Sequence, residues 1–229
     1  MDFEHIDYSE MDGDEVYDYG CDFLDGGDVD NALKCFILAA EKDDVSAQSQ
    51  LGDMYRYGKW VEANFEEAIK WYKLAAENGD REAIYYLGYL YYYGDDVEQD
   101  YKEAYYWFSK DDLYDIPNYI RGDMYFHVDQ NYELALACYR KSLKDDGYEH
   151  AAYKIGEMYY CGLGIEQNYS KAFEFLKYYE DEFEEDNFDF APAKVHYMLA
   201  EMYKNGWGVE QNLGEAEKLF RAAEKGEDN

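Results

Sequence analysis

The sequence contains no threonine and only two prolines, and valine is sparse. Because β-branched residues dominate strands, this shortage argues against a large β-sheet. The scarcity of proline, together with a hydrophobic share of 48%, argues against a proline-rich or fully disordered chain. Composition alone therefore favours a helical, folded protein.

Close cysteine pairs and long apolar runs are also missing. The four cysteines (Cys21, Cys35, Cys138 and Cys161) form no CxxC pair, which indicates neither a zinc site nor redox chemistry. The N-terminus shows no basic segment followed by an apolar one, and no stretch approaches the roughly 20 apolar residues of a membrane span. We therefore expect a reduced, cytoplasmic protein, unless a signal peptide has been removed.

Basic residues are scarce. The chain has 21 Lys and Arg against 53 Asp and Glu, which gives a net charge of −32. Such a chain is repelled by phosphate backbones and by anionic lipid surfaces, so we expect no nucleic-acid and no membrane partner. Tyrosine is abundant, with 29 copies. The charge predicts that any protein partner is basic.

Motifs of catalysis and metal binding are absent from the sequence. It contains no GxSxG, no Walker loop, no GxGxxG, no HExxH and no EF-hand loop. The four histidines (His5, His127, His150 and His196) are scattered along the chain. We therefore expect a non-enzymatic protein with no catalytic residues, no cofactor and no metal site.

A Leu-Gly pair followed three residues later by Tyr recurs along the chain. Its copies centre on Gly52, Gly88, Gly122, Gly156 and Ala200, at steps of 36, 34, 34 and 44 residues, and Gly20 marks a weaker first copy. The linking segments VEQDYKEA, IEQNYSKA and VEQNLGEA are nearly identical. Six copies therefore cover essentially residues 13 to 226, which indicates a repeat protein.

Each copy reads as two helices. Apolar residues at helical spacing predict one helix over 46–57 and a second over 64–77. Gly52 lies within the first helix, where glycine costs roughly 1 kcal/mol relative to alanine, so its recurrence suggests the close approach of another helix. Gly58 is typical of a helix stop. Stacked helix pairs of this kind form an α-solenoid.

The motif A-x-x-x-L-G-x-x-Y-x-x-G, followed by K/E-A-x-x-W-Y-x-x-A-A-E-x-G, resembles the Sel-1-like repeat family, which is related to tetratricopeptide repeats. The first and fourth copies depart from it and resemble plain tetratricopeptide units. The resemblance implies an all-α, right-handed α/α superhelical solenoid of about six helix-turn-helix repeats that serves as a scaffold and binds proteins. We expect an acidic N-terminal tail over 1–12 and a single solenoid over 13–229, with repeats at 13–45, 46–81, 82–116, 117–149, 150–192 and 193–229.

In related tetratricopeptide solenoids the first helix of each pair lines a concave groove. Carried over to this chain, the groove positions hold tyrosines beside carboxylates, a combination that suits Lys or Arg through cation–π contacts and ion pairs. The predicted partner-binding residues are Tyr17, Asp53, Tyr57, Tyr85, Tyr89, Tyr92, Tyr119, Asp123, Tyr153, Glu157, Tyr160, Tyr197 and Glu201. The alternative, in which these tyrosines pack the seams between helices, stays open.

An acidic and aromatic insertion over 178–191 accounts for the long last step. It reads either as a helix end with a solvated loop, or as an anchor built on Phe183, Phe188 and Phe190. The sequence thus predicts an adaptor or scaffold, monomeric, that binds a basic protein or peptide through an acidic, Tyr-rich groove. The alternative within this class is an immunity protein or inhibitor that neutralises a cationic toxin or effector. Further alternatives are an enzyme without a linear motif and a nucleic-acid mimic.

Overall fold

The computed structural model describes residues 6–111, 116–182 and 191–226, without the side chains of 146, 191, 192, 225 and 226. Over these residues the chain is built from α-helices joined by short turns, and they contain no strand. The predicted all-α class is therefore confirmed. Contacts divide the chain into two compact units, unit 1 at Met1–Tyr114 and unit 2 at Asp115–Asn229.

Each unit contains three helix pairs. Unit 1 holds α1 Gly13–Asp25, α2 Val29–Glu41, α3 Val45–Tyr57, α4 Phe65–Glu77, α5 Arg81–Tyr93 and α6 Tyr101–Phe108. Unit 2 holds α7 Asn118–His127, α8 Tyr132–Lys141, a π-helical turn Ser142–Asp146, α9 His150–Cys161, α10 Tyr169–Glu182, α11 Ala191–Asn205 and α12 Leu213–Gly226. Odd-numbered helices are the first of each pair and even-numbered helices the second. The helices predicted over 46–57 and 64–77 are confirmed to within one residue.

Part of the acidic composition serves to begin helices. Asp12, Asp28, Asp44, Asp80 and Asp100 each precede a helix and accept hydrogen bonds from its first backbone N–H groups. A carboxylate at this position satisfies donors that have no partner inside the helix and lies at the positive end of the helix dipole. These five charges are therefore structural.

The motif glycine allows the two helices of a pair to touch. A Cβ built on Gly88 would lie 2.5 Å from the Phe108 ring, and one on Gly52 would lie 2.7 Å from the Tyr72 ring. The same contact joins Gly20 to Phe36, Gly122 to Tyr139 and Gly156 to Leu176. Real Cβ atoms do not approach other atoms so closely, so only glycine fits. The close approach predicted from the recurrence of this glycine is confirmed.

The turn inside a repeat is closed by the linker that recurs in the sequence. Gly94 ends α5 with φ +76°, in the left-handed region that glycine adopts without strain. Gln99 then folds back and donates a 2.7 Å hydrogen bond to the carbonyl of Tyr92, while Asp100 caps the next helix. Gln167 and Gln211 make the corresponding bonds in unit 2. The Gln of the E-Q-D/N linker therefore closes the end of one helix, and the Asp or Asn that follows caps the next.

The N-terminal segment differs from the expected tail. Its described part, 6–12, packs on the first helix pair: Tyr8 is buried, and its hydroxyl lies 3.7 Å from the Cys35 sulfur. Its ring meets Tyr19 edge to face. Two further apolar side chains of this acidic segment, Ile6 and Met11, pack against the same core cluster of unit 1, so residues 6–12 are part of the folded unit.

Candidate functional site

The structure distributes the predicted partner-binding residues over three environments. The exposed ones are Asp53, Tyr57 and Tyr197. The half-buried ones are Tyr17, Tyr85, Tyr89, Tyr119, Tyr160 and Glu201. The buried ones are Tyr92, Asp123, Tyr153 and Glu157. A buried side chain offers a partner little surface, so these last four contribute to packing.

The carboxylates one residue after the motif glycine have partners inside the protein. Asp123 is 3% exposed and accepts a 2.6 Å hydrogen bond from the Tyr139 hydroxyl. In unit 1, Asp53 accepts the equivalent hydrogen bond from the Tyr72 hydroxyl, also at 2.6 Å. Glu157 lies 2.5 Å from the Lys194 ammonium. Some of the carboxylates predicted beside the groove tyrosines are therefore already bound within the protein.

Several predicted tyrosines also contact neighbouring side chains. Tyr17 packs on Phe36, with ring centroids 5.4 Å apart. Tyr119 stacks on Tyr148 at 4.2 Å. Burial raises the pKa of Tyr153 to about 12, and the Glu157 carboxylate adds to that shift. For these residues the seam-packing alternative describes the observed contacts.

In unit 1 the surface opens into a pocket of about 630 Å³ between α3, α4, α5 and the turn after α5. Its lining consists of Arg56, Tyr57, Phe65, Tyr86, Tyr89, Leu90, Asp95 and Asp96. Two predicted residues, Tyr57 and Tyr89, thus come together here. Tyr57 is 65% exposed, the most open of the predicted tyrosines together with Tyr197 at 55%.

Arg56 is the positively charged residue in the lining of this pocket, and its guanidinium already contacts two aromatic rings. Its guanidinium lies 4.1 Å from the centroid of the Tyr86 ring and 4.9 Å from that of Tyr57. Burial raises the pKa of Tyr72; its bond to Asp53 raises it further, while Arg56 opposes this shift. Arg56 and Asp53 therefore act on the same hydroxyl, which leaves Asp95 and Asp96 as exposed carboxylates at the pocket.

Tyr86 contributes an unusual atom. Its hydroxyl oxygen is buried and has no hydrogen-bond partner among the described residues. Burial raises the pKa of this phenol. Leaving a buried polar group without a bond costs about 1–3 kcal/mol of stability.

Unit 2 carries a second aromatic cluster, in which Trp207 is 36% exposed. Trp207 stacks on Tyr169 with ring centroids 4.9 Å apart and an interplanar angle of 15°. The ring of Tyr160 meets Trp207 at 6.4 Å. Tyr197 and Glu201 both lie on α11, and the Glu201 carboxylate forms an ion pair with the Lys204 ammonium at 3.2 Å.

Sequence reasoning missed most of the pocket. Arg56 occupies a groove position of the repeat, but its contact with Tyr86 depends on how α5 packs beside α3. The sequence indicated Phe65 only as a residue near the start of a predicted helix. Asp95 and Asp96 belong to a turn in which residue 96 has φ +61°, which no sequence pattern indicates. The anchor predicted from Phe183, Phe188 and Phe190 lies outside the described residues.

The described part of the chain contains no group of three or more His, Cys, Asp or Glu side chains that could hold a metal ion. Within the same residues, no helix is both long and apolar enough to cross a membrane.

Comparison with known proteins identifies the class. The Sel1 repeat family model matches residues 16–44, 45–80, 81–110, 119–146, 149–178 and 193–228. This chain belongs to the Sel1 repeat family, and the family resemblance of the sequence is confirmed. Sel1 repeat proteins are generally protein-interaction modules, and their fold is typically a non-enzymatic scaffold.

Solved structures agree on the fold. A Sel1 repeat protein from Oxalobacter formigenes is 25% identical, with a TM-score of 0.53 over 93% of this chain and 62% of its own. The protective antigen c5321, present in uropathogenic Escherichia coli strains, displays an SLR fold and is 26% identical, with a TM-score of 0.50 over 93% of this chain and 46% of its own. This chain thus spans less than two thirds of either protein. A search of curated proteins gives no significant match.

Proposed function

We propose that this chain is a non-enzymatic adaptor or scaffold that binds a basic segment of another protein on the acidic, tyrosine-rich surface of its repeats. The observation that carries the proposal is the open pocket of unit 1, where the exposed ring of Tyr57 and the ring of Tyr89 stand beside Asp95 and Asp96. Aromatic faces and carboxylates together bind Lys and Arg side chains by cation–π contacts and ion pairs.

The net charge of −32 supports the same partner chemistry. A strongly acidic surface raises the local concentration of basic segments and speeds their encounter. The exposed ring of Tyr57 adds contact area at a low entropic cost, because a tyrosine has only two rotatable side-chain bonds. In unit 2 we propose that Tyr160, Tyr197 and Glu201 make the corresponding contacts with the basic segment.

A random dodecapeptide library displayed on phage tests the proposal even though the partner is unidentified. The library is selected on the wild-type protein at about 50 mM salt, where exposed charges are weakly screened. We expect the selected peptides to be enriched in Lys and Arg. A selection without basic enrichment would contradict the proposal.

The surface is then located with matched variants. Asp95→Asn combined with Asp96→Asn removes two carboxylates, and asparagine tolerates the positive φ of residue 96. Glu166→Gln combined with Glu210→Gln removes two exposed turn charges from unit 2 and serves as control. We expect the first variant to bind the selected peptides about 5- to 30-fold more weakly, from two contacts of about 0.5–1 kcal/mol each, and the control to lose less than about twofold. Equal losses would place the binding surface elsewhere.

A further inference from the structure

The turn inside the repeat takes two forms in this protein. The residue after the turn glycine is Lys59, Asp95, Leu163 or Trp207, in chain order. The next residue is Trp60, Asp96, Gly164 or Gly208, and in all four copies its φ is positive, between +61° and +72°. The backbone of the turn is thus alike in the four copies, and the side chains differ.

In unit 2 the turn lies directly against the preceding repeat. A Cβ built on Gly208 would lie 2.3 Å from the carbonyl carbon of Tyr169, where α10 begins. One built on Gly164 would lie 2.4 Å from the Cβ of Tyr132, where α8 begins. Only glycine therefore permits this contact.

The side chain before that glycine fills the adjacent space. The indole of Trp207 stacks on the Tyr169 ring. Leu163 is partly buried against the core cluster of unit 2, as are Phe126 and Tyr132. In both copies the turn that meets the start of the preceding second helix carries an apolar residue.

Unit 1 lacks both features at α4. Asp96 carries the Cβ that Gly164 and Gly208 lack, so its turn cannot approach the start of α4 as closely. Asp95 replaces Leu163 and Trp207 with a short, charged side chain that does not fill the space. Phe65, the counterpart of Tyr169, instead faces the open pocket.

We propose that this pocket takes a tryptophan or leucine side chain of the partner, flanked by Lys or Arg, which occupies the place that Trp207 and Leu163 occupy in unit 2. The inference rests on the proposed function, because it names the part of the basic segment that enters the site. It adds an apolar anchor to a partner otherwise defined only by its charge.

The walls and rim of the pocket match such a segment. The rings of Phe65, Tyr86 and Tyr89 supply apolar and aromatic walls for the anchor. Asp95 and Asp96 are exposed at the pocket and can pair with the flanking basic residues.

Three fluorescein-labelled peptides test this inference: Gly-Lys-Arg-Trp-Arg-Lys-Gly and its versions with Leu or Ala at the central position. Binding is followed by fluorescence polarisation on the wild-type protein. We expect the Trp and Leu peptides to bind at least about tenfold more tightly than the Ala peptide, because the wild-type pocket buries their side chains.

Two variants place the anchor in the pocket. Asp95→Trp and Asp95→Leu introduce the unit 2 residues and close the pocket from within the chain, so the preference over the Ala peptide should disappear in both. Asp95→Asn keeps the pocket open, and it should weaken all three peptides while preserving the preference. Circular dichroism and thermal unfolding check that each variant is folded, and the two substitutions cover the case in which one does not fold.

The outcomes separate the two proposals. If the three peptides bind the wild type equally, or if the preference survives in a folded Asp95→Trp or Asp95→Leu protein, the apolar anchor is wrong while the binding of basic segments stands. If none of the peptides binds more tightly to the wild type than to the Asp95→Asn, Asp96→Asn variant, both proposals fail.

Discussion

The hydroxyl of Tyr139 donates a 2.6 Å hydrogen bond to Asp123, and the ring of the same tyrosine covers Gly122. Tyr72, Asp53 and Gly52 repeat this arrangement in unit 1. Where the residue after the glycine is not Asp, the second helix carries no hydroxyl at the matching position, as with Cys21 and Phe36. A tyrosine thus joins the two helices of a pair by packing and by a hydrogen bond.

The two tyrosines provide a matched test of this bond. Tyr139→Phe removes a hydrogen bond from a buried carboxylate, and we expect a loss of about 1–3 kcal/mol in the free energy of unfolding. Tyr72→Phe should cost less than about 1 kcal/mol, because water can solvate the exposed Asp53. Urea denaturation of both variants measures the difference. A larger loss for Tyr72→Phe would contradict this account.

Gly88→Ala tests the close approach of α5 and α6. Alanine favours a helix by up to about 1 kcal/mol over glycine. Here its Cβ would lie 2.5 Å from the Phe108 ring, so overpacking should give a net destabilisation of about 1–3 kcal/mol. Gly214→Ala in α12 is the control, because the nearest atom would be 3.5 Å away. Thermal unfolding should show the control to be neutral or stabilised.

The linker glutamine is tested by removing it and by adding it. Gln99→Ala loses the bond to the Tyr92 carbonyl and should cost about 0.5–1.5 kcal/mol. Repeat 2 has Ala63 at the corresponding position, so Ala63→Gln should stabilise the protein by a similar amount. Denaturant midpoints compare the two changes. A stabilising Gln99→Ala would show that the bond contributes nothing.

The burial of His196 predicts a pH dependence of stability. Burial lowers its pKa below 6.5, against the effect of the nearby Glu180. The unfolded chain then binds a proton more readily than the folded one, so this stability is complete above pH 6.5 and is lost as the pH falls. Relative to His196→Gln, the wild type should lose up to about 1.4 kcal/mol per pH unit below about 6.5. Urea titrations at several pH values between neutrality and pH 5 measure the difference, and a relative gain by the wild type would reverse the sign.

Salt dependence tests the contribution of charge to encounter. The association rate of the selected basic peptides should fall several-fold between about 50 and 300 mM salt, because screening shortens the reach of exposed charges. Stopped-flow fluorescence measures this rate. In the Asp95→Asn, Asp96→Asn variant we expect a shallower dependence. A rate independent of salt would mean that the acidity does not guide binding.

The sequence predicted the helix pairs closely because their signals are local. The glycine within the first helix and the glycine that ends it recur with the repeat. The predicted binding surface was less complete: Tyr57 and Tyr89 meet in one pocket, whereas Tyr92 and Tyr153 are buried. A helical position fixes only the direction of a side chain, and the neighbouring helix decides whether it is covered.

By itself the sequence determined that this protein is an acidic array of helix pairs, because helix spacing, caps and close-packing glycines are properties of neighbouring residues. Only the tertiary structure decided which acids remain available. Asp123 accepts a hydrogen bond from Tyr139 of the other helix in its pair, whereas Asp95 lies at an open pocket. The physical reason is that burial and hydrogen bonding depend on what packs from the adjoining helix, which the sequence of a single repeat does not contain.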